Sequence, residues 1–156
     1  MSLNSKISFL LDTMYEYQMI NNITKHCITN VMYLKDNMNY YGYNSKAKAV
    51  ITIHAENKIL VTTIHLVIDC NGRILDPSYE IHSKDAEYYD KLNIALDRLK
   101  ELSIMKDIEI KYTISQFLHF MKIAEEINNG KCIVSDKEYY HSQADYIDKQ
   151  ILINKK

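Results

Sequence analysis

Residues 59–78 read ILVTTIHLVIDCNGRILDPS, and the reading of this stretch decides the fold. Two apolar, β-branched runs flank Cys70-Asn71-Gly72-Arg73, and Asn-Gly between alternating hydrophobic residues is the strongest local signal for a two-residue hairpin loop. With Asn71 and Gly72 as the loop, counting outward sets Cys70 opposite Arg73, Asp69 opposite Ile74, Ile68 opposite Leu75 and Val67 opposite Asp76. Side chains alternate across a strand, so His65, Val67 and Asp76 share one face. His65 and Asp76 are then diagonal neighbours, roughly 7–8 Å apart at the backbone, a gap that an imidazole and a carboxylate leaning together can span.

Working upstream, AKAVITIHA alternates as a strand over residues 47–54, and a short turn at Glu56-Asn57 feeds the long strand 59–69. With the strand after the hairpin this makes an antiparallel meander of at least three strands. The preceding NYYGYNSK is turn-rich. Before it, Thr24 is the expected N-cap of a helix that turns Val31, Leu34 and Met38 inward, which puts Cys27 near the N3 position. A thiol there feels the positive end of the helix dipole and unpaired backbone N–H groups, which favour the thiolate. At the start of the chain, Ile7, Leu10, Leu11 and Met14 recur at i, i+3, i+4 and i+7, the stripe of an amphipathic helix over residues 5–20 that Asn21-Asn22 interrupts.

Downstream of Pro77 the period changes from 2 to 3.6. Leu92, Ala95, Leu96, Leu99 and Leu102 predict a helix over about residues 86–104. Thr113 with Gln116, and Ser135 with Glu138, form capping boxes that open two more helices, the first ended by Asn128-Asn129-Gly130. The expectation is therefore an α+β fold: an antiparallel sheet of three or more strands packed on an N-terminal nucleophile helix, with a helical C-terminal half. At 156 residues, with no linker, repeat or low-complexity tract, residues 1–156 read as a single domain.

Composition narrows the function classes. Nineteen basic and twenty acidic residues leave a net charge of −1, so no global field draws in nucleic acid or an anionic membrane. Cys27, Cys70 and Cys132 are odd in number and contain no C-x-x-C spacing, which argues against a secreted disulfide scaffold or a structural zinc site and points to reduced thiols in a cytoplasm. The N-terminus lacks a charged leader with a long apolar region, and no stretch approaches 18 apolar residues, so neither export nor a membrane span is expected. Only Arg73 and Arg98 are arginine, while Ile, Asn, Lys and Tyr abound, a usage suited to an A/T-rich coding genome such as that of a large DNA virus acting in an infected cell.

The candidate constellation is Cys27, His65 and Asp76. A cysteine nucleophile needs a base within about 2.6–3.2 Å, and the base needs an acceptor that fixes its tautomer. The rivals are weaker. His54 lies at the far end of its hairpin, roughly 20 Å along the strand from His65. His26 adjoins Cys27 but points elsewhere on a helix, His82 falls in an exit loop, Asp69 sits at the turn, and His119 and His141 fall on downstream helices. The Cys27 backbone N–H is one expected oxyanion donor, with Asn21, Asn22 or Gln18 open as a second. A metal site from His26, Cys27, His65 and Cys70 has no known zinc spacing, and no cofactor or metal is expected.

The run Cys27 … His65-Leu66-Val67-Ile68-Asp69 … Gly72-Arg73-Ile74-Leu75-Asp76-Pro77-Ser78 resembles the transglutaminase-like superfamily of cysteine enzymes, in which a Cys opens a helix, a His follows on a strand and an Asp begins an Asp-Pro-Ser/Thr motif on the next. The resemblance covers residues 20–80 and implies a papain-like α+β fold with Cys27 as nucleophile, His65 as general base and acid and Asp76 as orienter. Ile28 stands where many members carry an aromatic residue, and Lys25-His26 where a Gly often precedes the Cys. The function implied is a thiol hydrolase or acyl transferase acting on an amide of a peptide or protein substrate. The alternative on the same scaffold is a catalytically inactive module that binds proteins through tyrosine-rich loops around Tyr40, Tyr41, Tyr43, Tyr79, Tyr88 and Tyr89.

Overall fold

A computed structural model describes residues 3–56, 59–106, 125, 128 and 150–154. Helix α1 runs Leu3–Ile20 and α2 runs Cys27–Tyr40; strand β1 is Lys46–Glu56, β2 Ile59–Cys70 and β3 Arg73–Leu75; a short helix α3 covers Tyr79–His82, β4 covers Glu87–Tyr89, α4 covers Leu92–Met105, and β5 covers Gln150–Asn154. The architecture is α+β, with a curled antiparallel sheet ordered β3-β2-β1-β4.

The hairpin at residues 71–72 forms as the sequence dictates. Cys70 pairs with Arg73, Asp69 with Ile74 and Ile68 with Leu75. Asn71 and Gly72 both have positive φ, 54° and 86°, the conformation a type I′ turn demands and that Asn and Gly adopt at least cost. Asp69, placed at the turn, closes it by accepting the Gly72 N–H through Oδ1 at 2.8 Å. On the other side of β2, eleven residue pairs from Lys46↔Asp69 to Glu56↔Ile59 zip β1 to β2.

Alternation on this long ladder sorts the side chains. Ala49, Ile51 and Ile53 of β1 and Leu60, Ile64, Leu66 and Ile68 of β2 join one hydrophobic cluster with Ile7 and Met14 of α1, Val31, Leu34 and Met38 of α2, and Ala95, Leu99 and Leu102 of α4. The apolar stripes expected of α1, α2 and α4 are thus the ones buried, and burial of many branched side chains, each contributing roughly 1.5–3 kcal/mol, dominates the stability of the sheet–helix contact. The other parity of the ladder carries Val50, Thr52, His54, Val61, Thr63, His65 and Val67, all of them buried as well.

Three expectations are corrected. Helix α2 begins at Cys27, with His26 in the N-cap position and no side-chain cap, so Cys27 is the first helical residue and Thr24 caps nothing. The helix predicted from residue 86 begins at Leu92; residues 87–89 instead pair with Ile51, Thr52 and Ile53 as β4. An open edge of β1 outweighs helical periodicity here, and Arg98 of α4 fixes the result by gripping both carboxylate oxygens of Glu87 through Nε at 3.0 Å. The C-terminal half is not helical throughout, because β5 pairs antiparallel with Ile59–Thr63 on the edge of β2 that β3 occupies further along. The helices predicted to open at Thr113 and Ser135 lie outside the described residues, apart from Glu125 and Asn128, both helical. Asn128 uses its side-chain amide to accept from the Ala49 N–H at 2.8 Å and donate to the Ala49 carbonyl at 3.0 Å, covering the edge of β1 beyond β4.

Candidate functional site

The site grows from the hairpin. Because residues 71–72 reverse the chain tightly, β3 ends at Leu75 opposite Ile68, and Asp76 follows on the opposite parity from Leu75. His65 leaves β2 on that same parity. The result is a hydrogen bond of 2.8 Å between His65 Nε2 and Asp76 Oδ1, with side chains only 2% and 3% exposed. The expected imidazole–carboxylate pair is present, and it engages the Nε2 side of the ring.

Asp76 is held by more than its histidine. Oδ1 also accepts the Ser78 N–H at 2.9 Å, two residues on, as Asx geometry before a proline-broken turn favours. Oδ2 accepts the Tyr88 hydroxyl at 2.6 Å. The Tyr15 hydroxyl donates to the Asp76 backbone carbonyl. Burial, and then the Asp76 charge, pushes both phenols above the ordinary tyrosine range, so each stays a protonated donor. Tyr88 sits on β4 at one edge of the sheet, while Asp76 follows β3 at the other. Three strand spacings of about 4.8 Å separate those edges in a flat sheet, and the curl brings them within reach.

Cys27 enters from α2. Its side chain is 1% exposed and belongs to the main hydrophobic cluster. Asn30 lies one helical turn beyond it, so the two side chains share a face. The Asn30 amide donates to Ser78 Oγ at 3.1 Å and to Gln18 Oε1 at 3.3 Å. The start of α2 is therefore tied, through Asn30 and Ser78, to the segment that holds Asp76. Gln18 completes the tie: its Nε2 donates to the Pro77 carbonyl at 2.6 Å and its Oε1 accepts from the Tyr79 N–H at 3.0 Å. The Lys25 N–H donates to Glu80 Oε1 at 2.6 Å, anchoring the turn before α2 to α3.

The oxyanion candidates fare differently. Gln18 is buried with its amide committed to the Pro77–Tyr79 backbone and Asn30. Asn21 is exposed and donates to the Tyr17 carbonyl at 2.8 Å, and Asn22 occupies a positive-φ turn position. Among the rival residues, His26 is exposed with Nδ1 against the Thr24 carbonyl, and His82 stacks on Tyr15 with ring centroids 4.4 Å apart. His54 is buried on the same strand parity as His65, with Nε2 3.8 Å from Glu56 and Nδ1 lacking a hydrogen-bond partner. His119 and His141 lie outside the described residues. Cys70 is a buried free thiol beside the turn.

Sequence reasoning missed Tyr15, Asn30, Ser78 and Tyr88. Ser78 is the third residue of the Asp-Pro-Ser motif, which is the signal that points to it, whereas nothing local marks the three-residue strand that carries Tyr88. Among the described residues no three His, Cys, Asp or Glu side chains converge as metal ligands, and no helix is long and apolar enough to cross a membrane. Comparison of the chain with protein-family models, curated proteins and solved structures returns no match.

Proposed function

We propose that the protein is a thiol hydrolase or acyl transferase that attacks an amide carbonyl through Cys27, with His65 as base and acid and Asp76 as the residue that orients the imidazole. The observation that carries the reading is the buried His65–Asp76 pair, whose carboxylate accepts three hydrogen bonds and whose segment is tied through Ser78 to Asn30, one turn into the helix that Cys27 opens. Three donors fix the carboxylate in place, and a fixed carboxylate on Nε2 orients the imidazole. In the reaction, the thiol proton passes to His65 as Sγ bonds to the carbonyl carbon. His65 returns the proton to the departing amine, which leaves a thioester. Water or a second amine then attacks that thioester and regenerates the thiol. The substrate class is a peptide or protein amide, and the compartment is a reducing one such as the cytoplasm.

A second reading is favoured by one observation: Cys27 is 1% exposed and packed in the core cluster. On that reading the scaffold binds a protein and the pair is structural. Labelling by a thiol-directed acylating reagent separates the two. The enzyme reading expects modification at Cys27 faster than at Cys70, abolished in Cys27→Ala and slowed in His65→Ala with the far-UV circular dichroism unchanged. Equal labelling of the chain and its Cys27→Ala variant overturns the enzyme reading.

A further inference from the structure

A cavity of about 510 Å³ opens between α1 and α2, walled by Met14 and Tyr17 on one side, Ile23 at its end, and His26, Asn30 and Tyr33 on the other. Its size is within the roughly 300–1,000 Å³ of pockets that hold small ligands or side chains. Its position bears on the candidate site. His26 immediately precedes Cys27, and Asn30 lies one turn after it, so the cavity flanks the helix end that carries the sulfur.

The lining chemistry is specific. No Asp, Glu, Lys or Arg lines the cavity. Its buried polar groups are already committed: Asn30 and Gln18 bond to each other and to the Pro77–Tyr79 segment, and at the surface Thr13 Oγ1 donates to the Phe9 carbonyl. What remains is an apolar interior of Met14 and Ile23, with two tyrosine rings, Tyr17 and Tyr33, 62% and 55% exposed at the rim. A charged group entering would exchange its hydration for a few rim groups, the Tyr17, Tyr33 and Thr29 hydroxyls and the His26 ring, whereas an apolar or aromatic group gains burial and ring contact.

We infer that this cavity is the specificity pocket of the chain, receiving an uncharged aromatic or large aliphatic side chain of a peptide substrate whose neighbouring amide lies at Cys27. The inference rests on the thiol-enzyme reading for the occupant's orientation, while the pocket's preference is measurable without catalysis. The occupant is a side chain on a peptide rather than a free small molecule because His26 and Asn30 of the cavity wall bracket Cys27, the residue whose sulfur would attack the neighbouring amide.

The test uses the full chain with Cys27→Ala and the dipeptides acetyl-Xaa-glycinamide, with Xaa as Phe, Leu, Gly, Asp or Lys, followed by calorimetry and by amide chemical shifts of residues 26–33. The Phe and Leu peptides should bind at least about ten-fold more tightly than the Gly, Asp and Lys peptides. Thr29→Trp, an exposed lining position where a bulky ring fills the space, should erase that preference with the dichroism spectrum retained. Tyr33→Ala should weaken Phe binding more than Leu binding. Equal binding of all five peptides, or a preference that survives Thr29→Trp, overturns the inference. Failure of Cys27 to label in the parent chain, with the preference intact, would sink the thiol reading and leave the pocket standing. Labelling at Cys27 with no side-chain preference would do the reverse.

Discussion

Truncating Asp76 to alanine tests whether the polar cluster is as tightly coupled as its distances imply. The carboxylate side chain is 3% exposed and takes hydrogen bonds from His65 Nε2 at 2.8 Å, Ser78 N at 2.9 Å and Tyr88 Oη at 2.6 Å. Hydrogen bonds to a charged group contribute about 1.5–3 kcal/mol each. Their simple sum overstates the effect, because the buried carboxylate itself costs desolvation. Removing the carboxylate leaves three donors without an acceptor where water does not reach, each at a cost of about 1–3 kcal/mol, partly offset by relaxation. The expected loss for Asp76→Ala is therefore about 3–5 kcal/mol, a large share of the ~5–15 kcal/mol that holds a domain folded. With a urea slope of about 2 kcal/mol per molar, the unfolding midpoint falls by about 1.5–2.5 M, read by dichroism or tyrosine emission. Tyr88→Phe deletes one donor and leaves the carboxylate two others, so it should cost about 1–2 kcal/mol. A loss under about 1 kcal/mol for Asp76→Ala, or one smaller than that of Tyr88→Phe, would refute the coupling.

Burial holds the His54 imidazole below its ordinary value, against the opposing pull of Glu56. The unfolded chain therefore takes up the proton first as pH falls below about 6.5, so stability should decline from there down to the folded value, and His54→Gln should flatten that part of a pH series of urea midpoints. Gly72→Ala meets no atom within 4 Å but must adopt φ +86°, so thermal melting should show a loss of about 1–2 kcal/mol from backbone conformation alone. Leu34 is fully buried in the main cluster, and Leu34→Ala should cost about 2–5 kcal/mol in urea unfolding, with the upper end marking a cavity that does not collapse.

What local signals encode was legible. Asn71-Gly72 between alternating runs fixed the turn, the register and the common face of His65 and Asp76, because each follows from a two-residue period and a turn that accepts few residue types. The stripes of α1, α2 and α4 were legible for the same reason at period 3.6. What escaped were contacts that depend on how the elements meet. Strand β4 is three residues long, too short for a period to register, and its place was decided by the open edge of β1. Tyr88, Tyr15 and Asn30 reach the Asp76–Ser78 segment from 12, 61 and 48 residues away in sequence, and no pattern along the chain anticipates such convergence. The start of α2 lies two residues beyond the expected position because Thr24 has the chemistry of a cap without the geometry.

The hydroxyl of Tyr88 on the Asp76 carboxylate acts as a tie-rod across an arch: it links opposite rims of the sheet, and the span closes only while the arch stays bent. Any deformation that relaxes the bend, such as detachment of β4 from β1, would slacken the rod and loosen the carboxylate at the far rim. Mechanical shape and imidazole alignment are thereby made one variable, so a ligand that grips the β4 rim would be felt at His65 without touching it.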